Sequence, residues 1–163
     1  MILFENANSV IEKHDNKVIK SFKQKRTYIN DSWLYHYNNF YNRYKTTVKI
    51  YEANCDRIVM DYVKGELCRP YLVKNNNRLL FKYYSIILQN LSYMSEYSSN
   101  IPVDIGVLFF HRDAAGHNIV VNDNKYTLID PDSFIIKEKP TSSDAEIITM
   151  EILIKQLKMK HSI

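Results

Sequence analysis

The stretch His111-Arg112-Asp113-Ala114-Ala115-Gly116-His117-Asn118, with Asp130-Pro131-Asp132 beginning twelve residues further on, gathers three carboxylates, one carboxamide and two imidazoles. Oxygen donors of this kind suit a hard divalent cation, and a carboxylate held in a fixed place can take up a proton. His and Asp at short spacing can also ligate a metal. Asp and Asn are common in turns as well, so a turn-only reading competes with the chemical one. Against turns alone stands the joint order: a long helix, the cluster, a strand, a turn, a strand, then the aspartate.

Periodicity identifies the elements that must hold these residues. Residues 78–97 carry Leu79, Leu80, Tyr83, Tyr84, Ile87, Leu91 and Met94 at spacings of one, three and four, a broad apolar face that predicts a helix. A short apolar run, 105–110, leads into the cluster. Two β-like runs, 119–122 and 126–129, surround Asp123-Asn124 and predict a hairpin that delivers the chain to Asp130. Upstream, runs 9–12 and 17–22 around His14-Asp15-Asn16 predict another hairpin. Tyr28, Trp33, Tyr37, Phe40, Tyr41 and Tyr44 predict a helix over 26–44, with Asn30 or Asp31 as its N-cap. Runs 47–51 and 57–62 predict two more strands, the second leading into Val63-Lys64-Gly65-Glu66, where glycine suits a turn. Asparagines 75–77 predict a loop, and 142–158 a helix capped by Ser142, Ser143 or Asp144 with a basic last turn.

In this setting the cluster resembles the catalytic loop of the protein-kinase-like superfamily, H-R-D-x-x-x-x-N, with a metal-binding aspartate after a β-hairpin as in the D-F-G element. All four spaced loop residues match. The resemblance implies an α+β fold: a small N-terminal antiparallel sheet with one helix, and a truncated, mainly helical C-terminal lobe carrying a catalytic β-hairpin. It implies one kinase-like domain over 1–163, with an N-lobe over 1–63 and a reduced C-lobe over 64–163. Phosphoryl transfer needs little covalent help from a protein, which must place a nucleophile and neutralise charge on phosphate oxygens.

By the resemblance Asp113 accepts or orients the proton of an attacking hydroxyl, while Asn118 and Asp130 hold Mg2+ or Mn2+ against the phosphates of ATP. Asp132 adds a carboxylate able to share the metal. His111 and Arg112 brace the loop, and Arg112 could receive an activating anion. Residues 15–20 resemble the V-A-I-K strand, which makes Lys20 the contact for the α- and β-phosphates; the alternative is a solvated outward lysine. Residues 57–66 resemble the strand and hinge behind adenine, with Met60 bordering the pocket and the backbone of Asp61 and Tyr62 pairing with the base; the alternative is an edge strand and a turn. Ser143-Asp144-Ala145-Glu146 resembles the S-D-x-W helix, whose buried aspartate bonds the catalytic-loop backbone, or else Asp144 is a plain N-cap.

Several parts depart from the superfamily. The stretch expected over the phosphates, residues 5–10, has no glycine, although Asn tolerates positive φ best among the other residues. The helix over 26–45 offers Lys20 no glutamate, its one carboxylate being Asp31. Pro131 and Asp132 replace Phe-Gly, and proline biases Asp130 toward an extended backbone. About thirty residues follow, too few for a full helical lobe and peptide-docking segment, so the acceptor site is expected to be minimal or supplied by an activating protein partner. Three functions compete: an ATP-dependent kinase acting on a protein Ser/Thr or a small-molecule hydroxyl, a pseudokinase interaction module, and a metal-dependent phosphohydrolase built on His111, Asp113, His117, Asp130 and Asp132.

Composition bounds these readings. The chain has 163 residues, 45% hydrophobic and 25% charged, which is a normal globular balance and excludes disorder as the overall class. The net charge of +4 is too small to argue for nucleic acid. Cys55 and Cys68 form neither a CxxC pair nor a disulfide framework, no secretory signal opens the sequence, and no apolar run reaches bilayer length. The expected compartment is cytoplasmic, or the host cytoplasm for a viral or secreted effector protein.

Overall fold

The computed structural model describes residues 1–68, 77–100, 107–114, 116–123 and 125–138. The predicted terminal helix over 142–158, with Ser143 and Asp144, lies outside the described residues, as do Asn75, Asn76 and Asn124. The chain separates into two compact units, Met1–Lys64 and a second that begins at Gly65.

The first unit is a five-stranded antiparallel sheet and one helix: β1 (Ile2–Glu5), β2 (Ser9–His14), β3 (Lys17–Phe22), α1 (Asp31–Tyr44), β4 (Ile50–Ala53) and β5 (Arg57–Asp61), in the spatial order β1-β2-β3-β5-β4. The β2–β3 hairpin closes at Asp15, whose φ of 53° is tolerated because a short polar side chain limits the left-handed penalty. The helix starts five residues later than the aromatic spacing predicts. Asn30 is the N-cap, its Oδ1 accepting from Trp33 N at 3.0 Å, and the segment before it is held instead by Ile29 N donating to Arg26 O. Trp33, Tyr37 and Phe40 are fully buried, and Tyr37 donates its hydroxyl to Val48 O at 2.8 Å. That bond resolves the polar tip of a buried aromatic; burial also pushes the Tyr37 phenol well above its ordinary range. The strand predicted over 47–51 is observed as Ile50–Ala53. Strand β1 carries an exposed apolar run that periodicity passes over, and pairs with β2.

Among its described residues, the second unit has one long helix and two small antiparallel ladders. Strand β6 (Glu66–Leu67) pairs with β8 (Ile119–Asn122), which pairs with β9 (Lys125–Leu128). Helix α2 (Asn77–Ser99) precedes β7 (Val107–His111), and β7 pairs with β10 (Phe134–Glu138), a strand that periodicity does not mark. Helix α2 packs on β7. Ser98 Oγ fastens the two by accepting from Phe109 N at 3.1 Å and lying 3.3 Å from Phe109 O. Phe109 stacks on Phe134 across the β7–β10 ladder with centroids 4.8 Å apart, and Tyr97 of α2 meets Phe109 edge-on. The α+β class expected from the sequence is what the described residues form. Among them, no helix is long and apolar enough to cross a membrane.

Candidate active site

Every chemical residue of the cluster sits where a strand of the second unit ends. Strand β7 stops at His111, β8 starts immediately after Asn118, and β9 ends two residues before Asp130. The Ile119↔Leu128 pair sets the register, and beyond it Ile129 N donates to Asn118 O at 2.7 Å. Asn118 and Asp130 are therefore delivered to the same end of one hairpin, although twelve residues separate them. Asp113 joins them through Asn118, whose Nδ2 donates to Asp113 O at 2.9 Å.

His111 ties the loop to the aspartate segment. Its Nδ1 accepts from Asp113 N at 3.1 Å, so the ring hydrogen is on Nε2, which lies 3.1 Å from both Ile129 O and Asp130 O and donates to them. The ring is fully buried and meets Phe134 edge-on. Burial lowers its pKa to about 4, even though Asp130, the Ile129 carbonyl and Asp113 act in the opposite direction. Both nitrogens are thus engaged within the chain, which removes His111 from the metal-ligand set of the phosphohydrolase reading. Among the described residues no group of three or more His, Cys, Asp or Glu is assembled to hold a metal.

The backbone at Asp130 departs from expectation. Proline at 131 predicts an extended Asp130, yet its φ and ψ are 66° and 59°, in the left-handed region. The following turn, Pro131–Ser133, explains how this is held: Ser133 N donates to Asp130 O at 3.0 Å and Ser133 Oγ donates to Asp130 Oδ2 at 2.6 Å. An aspartate whose side chain is fastened locally is among the few residues that visit this region readily. Ser133 O in turn accepts from Arg112 N at 2.9 Å, extending the β7–β10 ladder to the loop. The Arg112 side chain is exposed, and Asp132 is buried.

One polar contact of the loop lies beyond what the motif implies. His117 Nε2 is 2.8 Å from Asp113 Oδ2. The spacing of four is visible in the sequence, but only a turn over Gly116–Asn118 makes it a contact.

The nucleotide-side candidates lie in the first unit. Lys20 is buried, not solvated, on β3 between Ile11 and Ile58, and its ammonium lies 5.9 Å from the Phe22 ring centroid. Met60 is buried beside Val18 and Ile50. Asp61 N donates to Lys49 O and Tyr62 N to Asn16 O, so base pairing at these two residues would be left to carbonyls. The glycine-free turn at residues 6–8 contains no positive φ. Asn6 builds it with its side chain, Oδ1 accepting from Asn8 N and Ser9 N at 2.8 Å each.

No protein-family model matches the chain, and no curated protein matches it. Solved structures do. The chain is similar to a choline/ethanolamine kinase family protein from Mesorhizobium loti, with a TM-score of 0.47 and 8% identity over 95% of this chain and 68% of that one. It is similar to an ethanolamine kinase from Plasmodium vivax, with a TM-score of 0.48 and 10% identity over 94% and 67% of the two chains. A choline kinase from Cryptosporidium parvum Iowa II gives a TM-score of 0.46 and 11% identity over 85% and 59%.

Proposed function

We propose that this protein is an ATP-dependent phosphotransferase that moves the γ-phosphate to a hydroxyl, on a protein serine or threonine first and on a small-molecule alcohol second. The observation that carries the reading is the connected set Asp113, Asn118 and Asp130, linked by Asn118 Nδ2 to Asp113 O at 2.9 Å and by Ile129 N to Asn118 O at 2.7 Å. In this reading Asp113 receives or orients the proton of the attacking hydroxyl as its oxygen bonds to the γ-phosphorus and ADP leaves with the electron pair of the broken bond. With Nδ2 engaged, Asn118 has Oδ1 to offer a cation, and the Asp130 carboxylate is the second ligand. Two protein oxygens fit Mg2+ or Mn2+, because such ions take their remaining ligands from phosphates and water. When bound, the metal neutralises charge on the phosphate oxygens. Lys20 is proposed as the phosphate contact, with Met60, Asp61 and Tyr62 on the adenine side, in an N-lobe over 1–63 and a C-lobe over 64–163.

Labelled ATP with Mg2+ or Mn2+, offered a mixed Ser/Thr protein acceptor and a panel of small alcohols, tests the proposal. Asp113→Ala and Asp130→Ala are each expected to lower transfer by roughly 100-fold or more, the scale for removing a transition-state partner. No thermal shift with ATP in either metal, together with no transfer, overturns it. One observation favours a second reading, an interaction module that does not transfer phosphate. The amides of Asn8 and Ser9 are already engaged by Asn6 Oδ1, where a glycine-rich loop would offer amides to phosphate. ATP-induced stabilisation without label transfer to any acceptor is the result that reading expects.

A further inference from the structure

We propose that His117 is a positioning residue that fixes the carboxylate of Asp113 for phosphoryl transfer, a role that rests on the phosphotransferase reading. The main chain of Asp113 is held on both sides: its N–H donates to His111 Nδ1 at 3.1 Å and its carbonyl accepts from Asn118 Nδ2 at 2.9 Å. Those bonds fix the peptide groups but leave the side-chain torsions to be decided by the carboxylate's own contacts. His117 supplies one, with Nε2 at 2.8 Å from Oδ2.

The local chain explains why His117 can reach. The 3-10 turn Gly116–Asn118 tightens the end of the loop and brings position i+4 over position i, so that Asn118 holds the backbone of Asp113 while its neighbour His117 holds the side chain. The pair sits at the surface of the unit, with the imidazole 40% and the carboxylate 23% exposed. A pair exposed to this degree adds little to stability. Its value lies in orientation: anchoring Oδ2 fixes the side-chain torsions of Asp113, and with them the direction of Oδ1, which is enclosed by the loop. A misplacement of about 1 Å near a reacting centre is enough to cost on the order of 100-fold in rate.

The test uses the full chain and two substitutions. His117→Ala removes the donor, whereas His117→Gln places an amide N–H at nearly the same reach as Nε2 without an imidazole. Expected results are a kcat lowered roughly 10- to 100-fold in His117→Ala with KM for ATP within about twofold, and recovery to within about fivefold of wild type in His117→Gln. Wild-type kcat in His117→Ala overturns the proposal, and so does a His117→Gln enzyme as impaired as the alanine variant. Crystal structures of wild type and His117→Ala give a readout that does not depend on turnover. A single Asp113 side-chain orientation that turns or becomes multiple in the variant supports the positioning role, and an unchanged orientation overturns it. If the wild type itself transfers no phosphate, the phosphotransferase reading fails on its own, while the side-chain comparison still decides whether His117 fixes Asp113.

Discussion

The His111 ring is fully buried, with both of its nitrogens engaged by the backbone of its own chain. A buried imidazole that accepts from one backbone N–H and donates to two carbonyls must stay neutral, and burial lowers its pKa from 6.5 to about 4. The sign follows from linkage. Below pH 6.5 the unfolded chain takes up a proton that the folded ring refuses until about pH 4, so stability falls as pH drops through that window and is insensitive to this group above it. The loss is on the order of 3 kcal/mol at most. Urea melts at pH 7, 5.5 and 4 check it: the stability gap between wild type and the non-titrating His111→Gln is expected to narrow toward pH 4, and a constant gap contradicts the buried neutral ring. The Ser133 hydroxyl donates to Asp130 Oδ2 at 2.6 Å, so Ser133→Ala is expected to loosen Asp130 and weaken metal-dependent ATP binding by roughly the strength of one charge-assisted hydrogen bond, about 1–2 kcal/mol. Calorimetry with Mg2+ and ATP reads that difference.

At the scale of elements, the site is the product of two short ladders and the turns that end them. The β8–β9 hairpin brings Asn118 and Asp130 to one end, and the β7–β10 ladder brings His111 opposite Phe134. Gly65 governs how the chain joins that hairpin at β6. Its φ is +144°, and a Cβ there would lie 2.5 Å from Val121 O and 2.7 Å from Val120 Cγ1. The backbone oxygen cannot swing away, so Gly65→Ala is expected to cost about 2 kcal/mol or more, measured by denaturant melts, with the β6–β8 pairing lost first in hydrogen exchange. In the other unit, Asn30→Ala removes the α1 cap and is expected to cost about 1 kcal/mol. That helix presents Trp33, Tyr37 and Phe40 to the core, and its fraying is read by Trp33 fluorescence.

For the whole molecule, the division at Lys64 and Gly65 assigns the candidate residues to different units: Lys20 and Met60 to the first, Asp113, Asn118 and Asp130 to the second. Their expected contributions are separable by experiment. Lys20→Ala is expected to reduce the ATP thermal shift with and without metal, since an ammonium acts on phosphate directly. Asp130→Asn is expected to remove only the metal-dependent part. Equal effects of both substitutions with EDTA present would contradict this assignment. Lys20 is buried, so a Lys20→Met comparison separates loss of charge from loss of packing.

Much of this protein is readable in its sequence, and the reason is local chemistry. Periodicity locates α2, turn residues locate the β2–β3 and β8–β9 hairpins, and the spacing of Asp113, Asn118 and Asp130 marks the cluster, because each signal is confined to a few consecutive side chains. Other features are invisible there because they depend on partners distant in sequence or on local bonds that override a bias. Strand β10 exists only by pairing with β7, and the left-handed Asp130 is held by Ser133 against the bias of Pro131. Burial, too, follows from what surrounds a residue: Lys20 alternates with apolar residues as a solvated lysine would, yet the assembled sheet encloses it. Order along the chain thus dictates which groups are available and where the backbone turns. The neutral state of His111 and the grip of His117 on Asp113 come only with folding, because hydrogen-bond geometry and desolvation are properties of groups that the folded chain has brought together.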